Sequence, residues 1–539
     1  MGLFSVHSLG YSLPDGRPLL RGISFQATRG DKVALIGRNG AGKTTLLKMI
    51  SGEIMGRSGA ISRSGSVGVM PQFFEGGTVR DVLLSVAPRP VRSAAKEVRA
   101  AEGALVEGGD RAACRYAEAW GRWGGVGGYD AEVLWDFCAT EALGVPLTEC
   151  WDRPIRTLSG GEQKRLILTS LFYGKDDILL LDEPDNFLDI PGKYWLENML
   201  RETDKLVLYV SHDREFLSHT ATAVVTRELS ERGNTCWVHS GGFDSYRAAR
   251  EERLSRQDEL RRRWEEDRAH LREMVRTYKN KAAYNSDMAS RYRAAQTRLK
   301  RFELTGAPEK RPRQEKVEMR LRGGRTGKKV LVCEEFALPG LTLPFNYEVR
   351  YGDRIGVLGP NGEGKSLFLR LLASQVGGNG GEDNPVRYKG KVVGGSRVYP
   401  GYFAQKQGRP ELAGRTLLDI LHRGEGRREG MPRQEATGAL ARYGLARSAE
   451  QNFEDLSGGQ KARFQILLVE LEGATMLLLD EPTDNLDLES AEALQEGLRA
   501  FAGTVLAVTH DRWFTRDFDR FLIFSRDGSV MESDRPIWE

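Results

Sequence analysis

Gly37-Arg38-Asn39-Gly40-Ala41-Gly42-Lys43-Thr44 decides the fold, because its spacing returns as Gly359-Pro360-Asn361-Gly362-Glu363-Gly364-Lys365-Ser366. Each stretch follows a short apolar run, Val33-Ala34-Leu35-Ile36 or Ile355-Gly356-Val357-Leu358, and precedes a leucine-rich helical segment. Strand, glycine loop, helix is the context in which G-x-x-x-x-G-K-[ST] cradles phosphate. Backbone N–H groups of such a loop converge on phosphate oxygens. The helix behind it presents its positive N-terminal end to the same anion. Lys43 and Lys365 are therefore expected to neutralise the outer phosphates, and Thr44 and Ser366 to offer hydroxyls to Mg²⁺.

Working outward, the two halves keep step. Leu158-Ser159-Gly160-Gly161-Glu162-Gln163 matches Leu456-Ser457-Gly458-Gly459-Gln460. From Ser159 to Glu183 is 24 residues, as it is from Ser457 to Glu481. From Glu183 to His212 is 29, as it is from Glu481 to His510. A tandem duplication explains both distances, with copies at about 1–241 and 327–539. Gln72 to Ser159 spans 87 residues and Gln405 to Ser457 only 52, so the first copy carries 35 extra residues. They are placed at about 94–128, where Val98, Leu105, Tyr116 and Trp120 suggest two short helices.

Ile178-Leu179-Leu180-Leu181-Asp182-Glu183 and Met476-Leu477-Leu478-Leu479-Asp480-Glu481 read as strands buried on both faces of a parallel sheet. Their carboxylates emerge at the C-terminal edge, where α/β sheets bind ligands. Asp182 and Asp480 are expected to hold the Mg²⁺ shell, and Glu183 and Glu481 to orient and polarise an attacking water. His212 and His510 each follow another apolar strand, and their matched offset points to phosphate sensing.

The composition fits this reading and excludes others. The 539 residues carry a net charge of +4, with 40% apolar and 9% aromatic residues, which suffices for packed cores. No apolar run is long enough to cross a bilayer, and Met1-Gly2-Leu3-Phe4-Ser5 does not begin a secretory signal. The five cysteines are scattered without a C-x-x-C, against a disulfide framework or a zinc or iron–sulfur module, and for a reducing cytoplasm.

With both loops, both signatures and both histidines in view, the chain resembles the ATP-binding cassette superfamily, and within it the ABC-F group of tandem-cassette proteins that act on ribosomes. The fold class that follows is α/β, two tandem P-loop cassettes joined by a basic helical hairpin. The resemblance implies two ATP sites closed head to tail. One joins Gly37, Asn39, Gly40, Gly42, Lys43, Thr44, Thr45, Gln72, Asp182, Glu183 and His212 with Ser457, Gly458 and Gly459. The other joins Gly359, Asn361, Gly362, Gly364, Lys365, Ser366, Gln405, Asp480, Glu481 and His510 with Ser159, Gly160 and Gly161. Gln72 and Gln405 would complete the metal shells, and Asp189 and Asp487 would meet the opposite cassette. Tyr11 stands where the family stacks an aromatic on adenine, with Phe336 the counterpart in copy two. Four positions depart from the family pattern: Phe187 and Asn485 replace a usual histidine, Glu363 a usual alanine and Leu367 a usual threonine. They bear on whether the two sites turn over equally.

Residues 243–325 carry 24 Lys+Arg against 14 Asp+Glu, so the rest of the chain is net acidic. Met288, Tyr292, Ala295, Leu299 and Phe302 form a coiled-coil seam, and Leu260, Trp264, Leu271, Val275 and Tyr278 a facing stripe. A hairpin within 242–326 with its tip near 279–287 is the simplest shape. Arg276, Lys279, Lys281, Arg291, Arg293, Arg298, Lys300 and Arg301 crowd that end, with Tyr278, Tyr284 and Tyr292 as possible base stackers, as expected for RNA contact. The resemblance implies that this hairpin enters the exit-tRNA site of the ribosome toward the peptidyl-transferase centre, and that the insertion is the family's arm. Both half-sites lie in one chain, so a monomer is expected. Antibiotic protection and translation control both remain open. A transport ATPase serving a separate membrane partner is the second class, and a DNA-repair or recycling cassette protein the third.

Overall fold

The computed structural model describes residues 4–71, 76–106, 108–229, 233–282, 286–308, 310–312, 317–376, 387–404, 409–425 and 428–538. Each cassette is built on a six-stranded sheet. In the first the order is Val67–Val69, Ile178–Asp182, Leu206–Val210, Lys32–Gly37, Ala223–Glu228 and Thr235–His239. In the second it is Pro400–Phe403, Met476–Asp480, Thr504–Val508, Arg354–Leu358, Arg520–Phe524 and Val530–Ser533. Only the last strand of each runs antiparallel. The Leu-Leu-Leu runs lie one strand in from the edge, paired on both sides, and are buried along their length, so every residue can be apolar.

The order of strands places the chemistry. Lys32–Gly37 and Arg354–Leu358 each lie inside the sheet between two parallel strands that come later in the chain, and their C-terminal ends open into the glycine loops. Glu183 and Glu481 leave their strands at φ 51° and 48°, each N–H donating 3.0 Å to the neighbouring strand, at Val210 O and Val508 O. Left-handed backbone at a glutamate is strained, and it recurs at the same position in both copies.

A three-stranded antiparallel sheet flanks each cassette, ordered Pro18–Ala27, Phe4–Ser12, Ser58–Arg63 in the first and Phe345–Arg350, Lys329–Ala337, Lys389–Gly394 in the second. This sheet corrects one expectation. Phe336 is fully buried, with its ring against Phe345, Phe368 and Tyr388, and is closed to adenine. Tyr11 is half-buried at the rim of the first cassette's core. The bulges at Ser8 and Glu335, both left-handed, put Leu338 in copy two where Tyr11 stands in copy one. Leu338 is itself buried.

The insertion region of copy one holds helices Arg89–Val106 and Asp110–Gly125, longer than expected. Val98 is buried there, whereas Leu105 is 41% exposed.

The hairpin consists of helix Phe243–Ala282, at 40 residues about 60 Å long, and helix Ser286–Leu304. Trp264 stacks on Phe302 at 5.5 Å, Leu271 and Ala295 are buried, and Glu303 takes Arg268 at 2.8 Å and Arg272 at 3.0 Å. Leu260 departs from the expected stripe at 56% exposure. It stands one turn below Trp264, whose partner Phe302 is only two residues from the end of the return helix. Tyr284 and part of the tip lie outside the described residues. The returning chain then buries Val317, Met319 and Leu321 in the core of the second cassette.

Candidate active site

Each glycine loop has folded around its own lysine. Lys43 Nζ donates to Gly37 O at 2.7 Å and Arg38 O at 3.3 Å. Lys365 Nζ donates to Gly359 O at 2.7 Å and Pro360 O at 2.5 Å. The loops need left-handed backbone at Gly40, Gly42, Gly362 and Gly364, which glycine adopts without penalty. Burial pushes the Lys43 ammonium down to about 8, against the pull of Asp487, Glu183 and Asp182. It pushes Lys365 down as well, opposed by Glu481 and by Asp189 of the other cassette. Among the described residues the hydrogen bonds of both ammoniums go to loop carbonyls, which a phosphate oxygen can replace.

The hydroxyls and carboxylates lie as paired ligands. Thr44 Oγ1 donates to Asp182 Oδ2 at 2.7 Å, and Ser366 Oγ to Asp480 Oδ1 at 2.8 Å. A hydroxyl and a carboxylate oxygen beside a phosphate loop are the donor set that suits Mg²⁺. Thr45 is half-buried on the helix Lys43–Ser51. Gln72 and Gln405 lie outside the described residues.

The glutamates are held differently in the two sites. Glu183 Oε2 accepts Asn186 Nδ2 at 2.7 Å, and its backbone carbonyl accepts the Lys164 ammonium. Glu481 Oε2 accepts the His510 N–H at 3.0 Å, and the residue matching Asn186 is Asp484. Burial raises the Glu183 carboxyl, with Asp182 adding to it. Burial and Asp484 raise Glu481 to about 8. The histidines differ too. His510 Nε2 lies 3.0 Å from Asn361 Oδ1, while both His212 ring nitrogens are buried with no hydrogen-bond partner among the described residues. Burial and Lys43 press the His212 imidazole down to about 3. Two orphaned nitrogens near Lys43 are what a pocket made for a ligand leaves open.

The cassettes meet head to tail across these sites. Asn39 N donates to Asp487 Oδ2 at 3.2 Å, and Asn39 Nδ2 to Asn485 O at 2.7 Å. Asn361 Nδ2 donates to Phe187 O at 3.2 Å. A Cβ on Gly459 would fall 2.1 Å from Asn39 Nδ2, so the second signature lies directly against the first phosphate loop. Phe187 and Asn485, at φ 66° and 63°, carry these carbonyls and pack over Gly160–Gly161 and Gly458–Gly459 respectively. The position where the family's histidine is missing thus works through its backbone. Ser159 and Ser457 close capping boxes with Glu162 and Gln460 at the N-termini of helices Gly160–Tyr173 and Gly458–Leu471.

Two features escaped sequence reading. Lys164, buried under the Phe187 ring at 5.6 Å, has Ala462 as its counterpart, so it belongs to one site only. Lys193 bridges Asp213 at 2.8 Å and His510 O at 2.9 Å, beside a buried Arg512–Glu197 pair that spans the interface. The Asp-Arg after each histidine was the available signal.

The family model described as ABC transporter matches residues 20–186 and 343–484, and a second model of that description matches 231–321. The whole chain is 53% identical to an antibiotic resistance protein of Mycobacteroides abscessus, covering 100% of both. It is 30% identical to the energy-dependent translational throttle protein EttA of Escherichia coli K12, over 98% of this chain and 93% of that one.

The chain belongs to the ABC-F family.

ABC transporter F family member 5 of Arabidopsis thaliana is 30% identical over 96% of this chain and 74% of its own. The solved RNase-L Inhibitor shares the tandem-cassette fold at a TM-score of 0.57, with 18% identity over 98% of this chain and 89% of that one. As an ABC-F protein the chain binds and hydrolyses ATP. No described helix is long and apolar enough to cross a membrane.

Proposed function

We propose that this ABC-F protein is a cytoplasmic, monomeric ATPase that binds the ribosome in its ATP-closed form and protects it from antibiotics acting near the peptidyl-transferase centre. The closed head-to-tail arrangement, in which Asn39 of one cassette is bonded to Asp487 and Asn485 of the other, is the observation that carries it. ATP bound between the halves favours the closed state through its extra contacts there. The relative named for antibiotic resistance, at 53% identity over the full length, favours protection over translation control.

Within each site the residues have separable tasks. Lys43 and Lys365 neutralise the outer phosphates. Thr44 with Asp182, and Ser366 with Asp480, would hold Mg²⁺, and Gln72 and Gln405 are the side chains expected to complete the shells. The metal, when bound, would supply neutralisation of the phosphate charge. Glu183 and Glu481 orient and polarise the attacking water, His212 and His510 report on the terminal phosphate, and the signature glycines with Ser159 or Ser457 close over it from across the interface. Tyr11 stacks on adenine in the first site.

The hairpin makes the ribosomal contact. Arg276, Lys279, Lys281, Arg291, Arg293, Arg298, Lys300 and Arg301 are all exposed, and none forms an ion pair with a described residue. Eight such cations on a projecting hairpin suit an RNA backbone. The insertion helices are the arm that flanks the same ribosomal site, with tRNA beside them.

Cell-free translation with a peptidyl-transferase inhibitor tests the proposal. The wild type restores synthesis, and the Glu183→Gln/Glu481→Gln variant does not. Repression without drug and no rescue with it would move the reading to translation control. No effect in either condition would overturn it.

A further inference from the structure

The linker helix Phe243–Ala282 is fixed at its base to the first cassette. Tyr246 OH accepts from Thr226 Oγ1 at 3.0 Å, and Arg253 grips both oxygens of Glu228, at 2.5 and 3.0 Å. The same stretch also reaches the second cassette. Arg250 NH2 lies 3.3 Å from Glu489 Oε1, and Arg247 pairs with Glu492. Both acids stand one turn apart on helix Leu488–Ala500, whose N-cap Asp487 is the residue bonded to Asn39. Glu489 is also 3.8 Å from Arg38 in the phosphate loop, and Glu492 is 3.3 Å from Arg214, two residues after His212. Arg214 further donates to Leu488 O at 3.2 Å. One helix thus touches the phosphate loop, the histidine loop and the base of the hairpin.

Among the described residues the other half-site has no such connection. Counting from Asp189 as from Asp487, the residues matching Glu489 and Glu492 are Pro191 and Tyr194, and the residue matching Arg38 is Pro360. Symmetric contacts persist elsewhere: Arg512 meets Glu197 as Arg214 meets Gln495 at 3.5 Å. Duplication therefore explains the closure contacts, but not the acids at 489 and 492. Those occur only on the helix that faces the linker.

We propose that the half-site built on Lys43, and not the one built on Lys365, is coupled to the pose of the hairpin, with Glu489 and Glu492 as the positioning residues that carry the coupling. When this site closes, helix Leu488–Ala500 moves against the first cassette as a unit. Its two acids then hold Arg247 and Arg250, and the linker helix acts as a lever from that grip. The Arg250–Glu489 pair is partly shielded, with side chains 25% and 30% exposed, so it is stronger than a fully solvated pair, whereas Arg247 is 57% exposed and its pair with Glu492 is worth less. A rigid element with two positions, biased by both sites, is the physical requirement for coupling. The proposal rests on ATP-driven closure as read above, but not on the ribosome.

The test uses the full chain in the Glu183→Gln/Glu481→Gln background with the exposed Cys114 replaced by serine. Spin labels at Ser290 and Arg526 report the hairpin, and labels at Glu202 and Arg526 report closure. Arg247→Gln/Arg250→Gln is expected to reduce the ATP-induced shift of the hairpin pair at least threefold while the closure pair responds as in the parent. With the catalytic glutamates restored, basal ATP turnover stays within about twofold. Glu489→Gln/Glu492→Gln gives the same hairpin loss from the cassette side. A hairpin shift unchanged in both variants, or lost together with closure, overturns the proposal. A closure pair insensitive to ATP in the parent defeats the closure reading itself, and the coupling with it.

Discussion

Asp487 uses its two oxygens for two purposes. Oδ1 caps helix Leu488–Ala500 through Ser490 N at 2.9 Å, and Oδ2 accepts Asn39 N from the other cassette. Asp487→Ala loses both, so about 1 kcal/mol of cap stability should go, and ATP turnover should fall about tenfold, the worth of one charge-assisted bond. Asp487→Asn keeps the cap, and its melting temperature should stay near the wild type while turnover still drops. Glu183→Gln/Glu481→Gln should lower turnover at least a hundredfold with ATP binding intact, as expected when a water-polarising carboxylate is lost. His212 sets a pH dependence. Its folded value lies near 3 and a free imidazole near 6.5. Between those values the unfolded chain binds a proton that the folded one refuses, so stability falls as pH drops below 6.5. From pH 7 to 5 the loss should be about 1–2 kcal/mol, and thermal melts of His212→Gln should show a flatter acid limb.

Among the elements, the hairpin is held by few groups. Trp264 on Phe302 is its main lock, and Trp264→Ala should cost about 3 kcal/mol of local stability. Faster amide exchange across Ser286–Leu304, with basal turnover unchanged, would check it. Helix periodicity in the sequence found this seam, because Met288, Tyr292, Ala295, Leu299 and Phe302 follow one stripe. It could not show where the shorter helix ends, and so it counted Leu260 as covered. The glycine loops, the Asp-Glu strands and the histidines were legible because their spacing repeats, and the structure brings each set together. Phe336 was misread because a bulge between Cys333 and Phe336 shifts the register and turns that side chain inward. Lys164 is not legible, since nothing local marks a lysine whose partner comes from the fold, and of the Lys193–Asp213 bridge the sequence marks only Asp213, through the repeated His-Asp-Arg.

At the scale of the whole molecule, two cassettes, a closed interface and a charged lever form one device. The hydrogen bonds and ion pairs across the interface include Asn39 on Asp487 and Asn485, Asn361 on Phe187, Lys193 on His510 O, Arg214 on Leu488 O and Glu492, and Arg512 on Glu197. ATP bound between the halves would add to these contacts and favour the closed state, which is why nucleotide state should govern binding to a polyanionic partner. Neutralising the eight hairpin cations should weaken that binding and flatten its salt dependence, leaving basal turnover intact. The most direct test is co-sedimentation of the Glu183→Gln/Glu481→Gln variant with ribosomes, with and without ATP. The account predicts binding that requires ATP and is lost when Arg276, Lys279, Lys281, Arg291, Arg293, Arg298, Lys300 and Arg301 are replaced by glutamine. Binding that ignores ATP, or no binding in its presence, would contradict it.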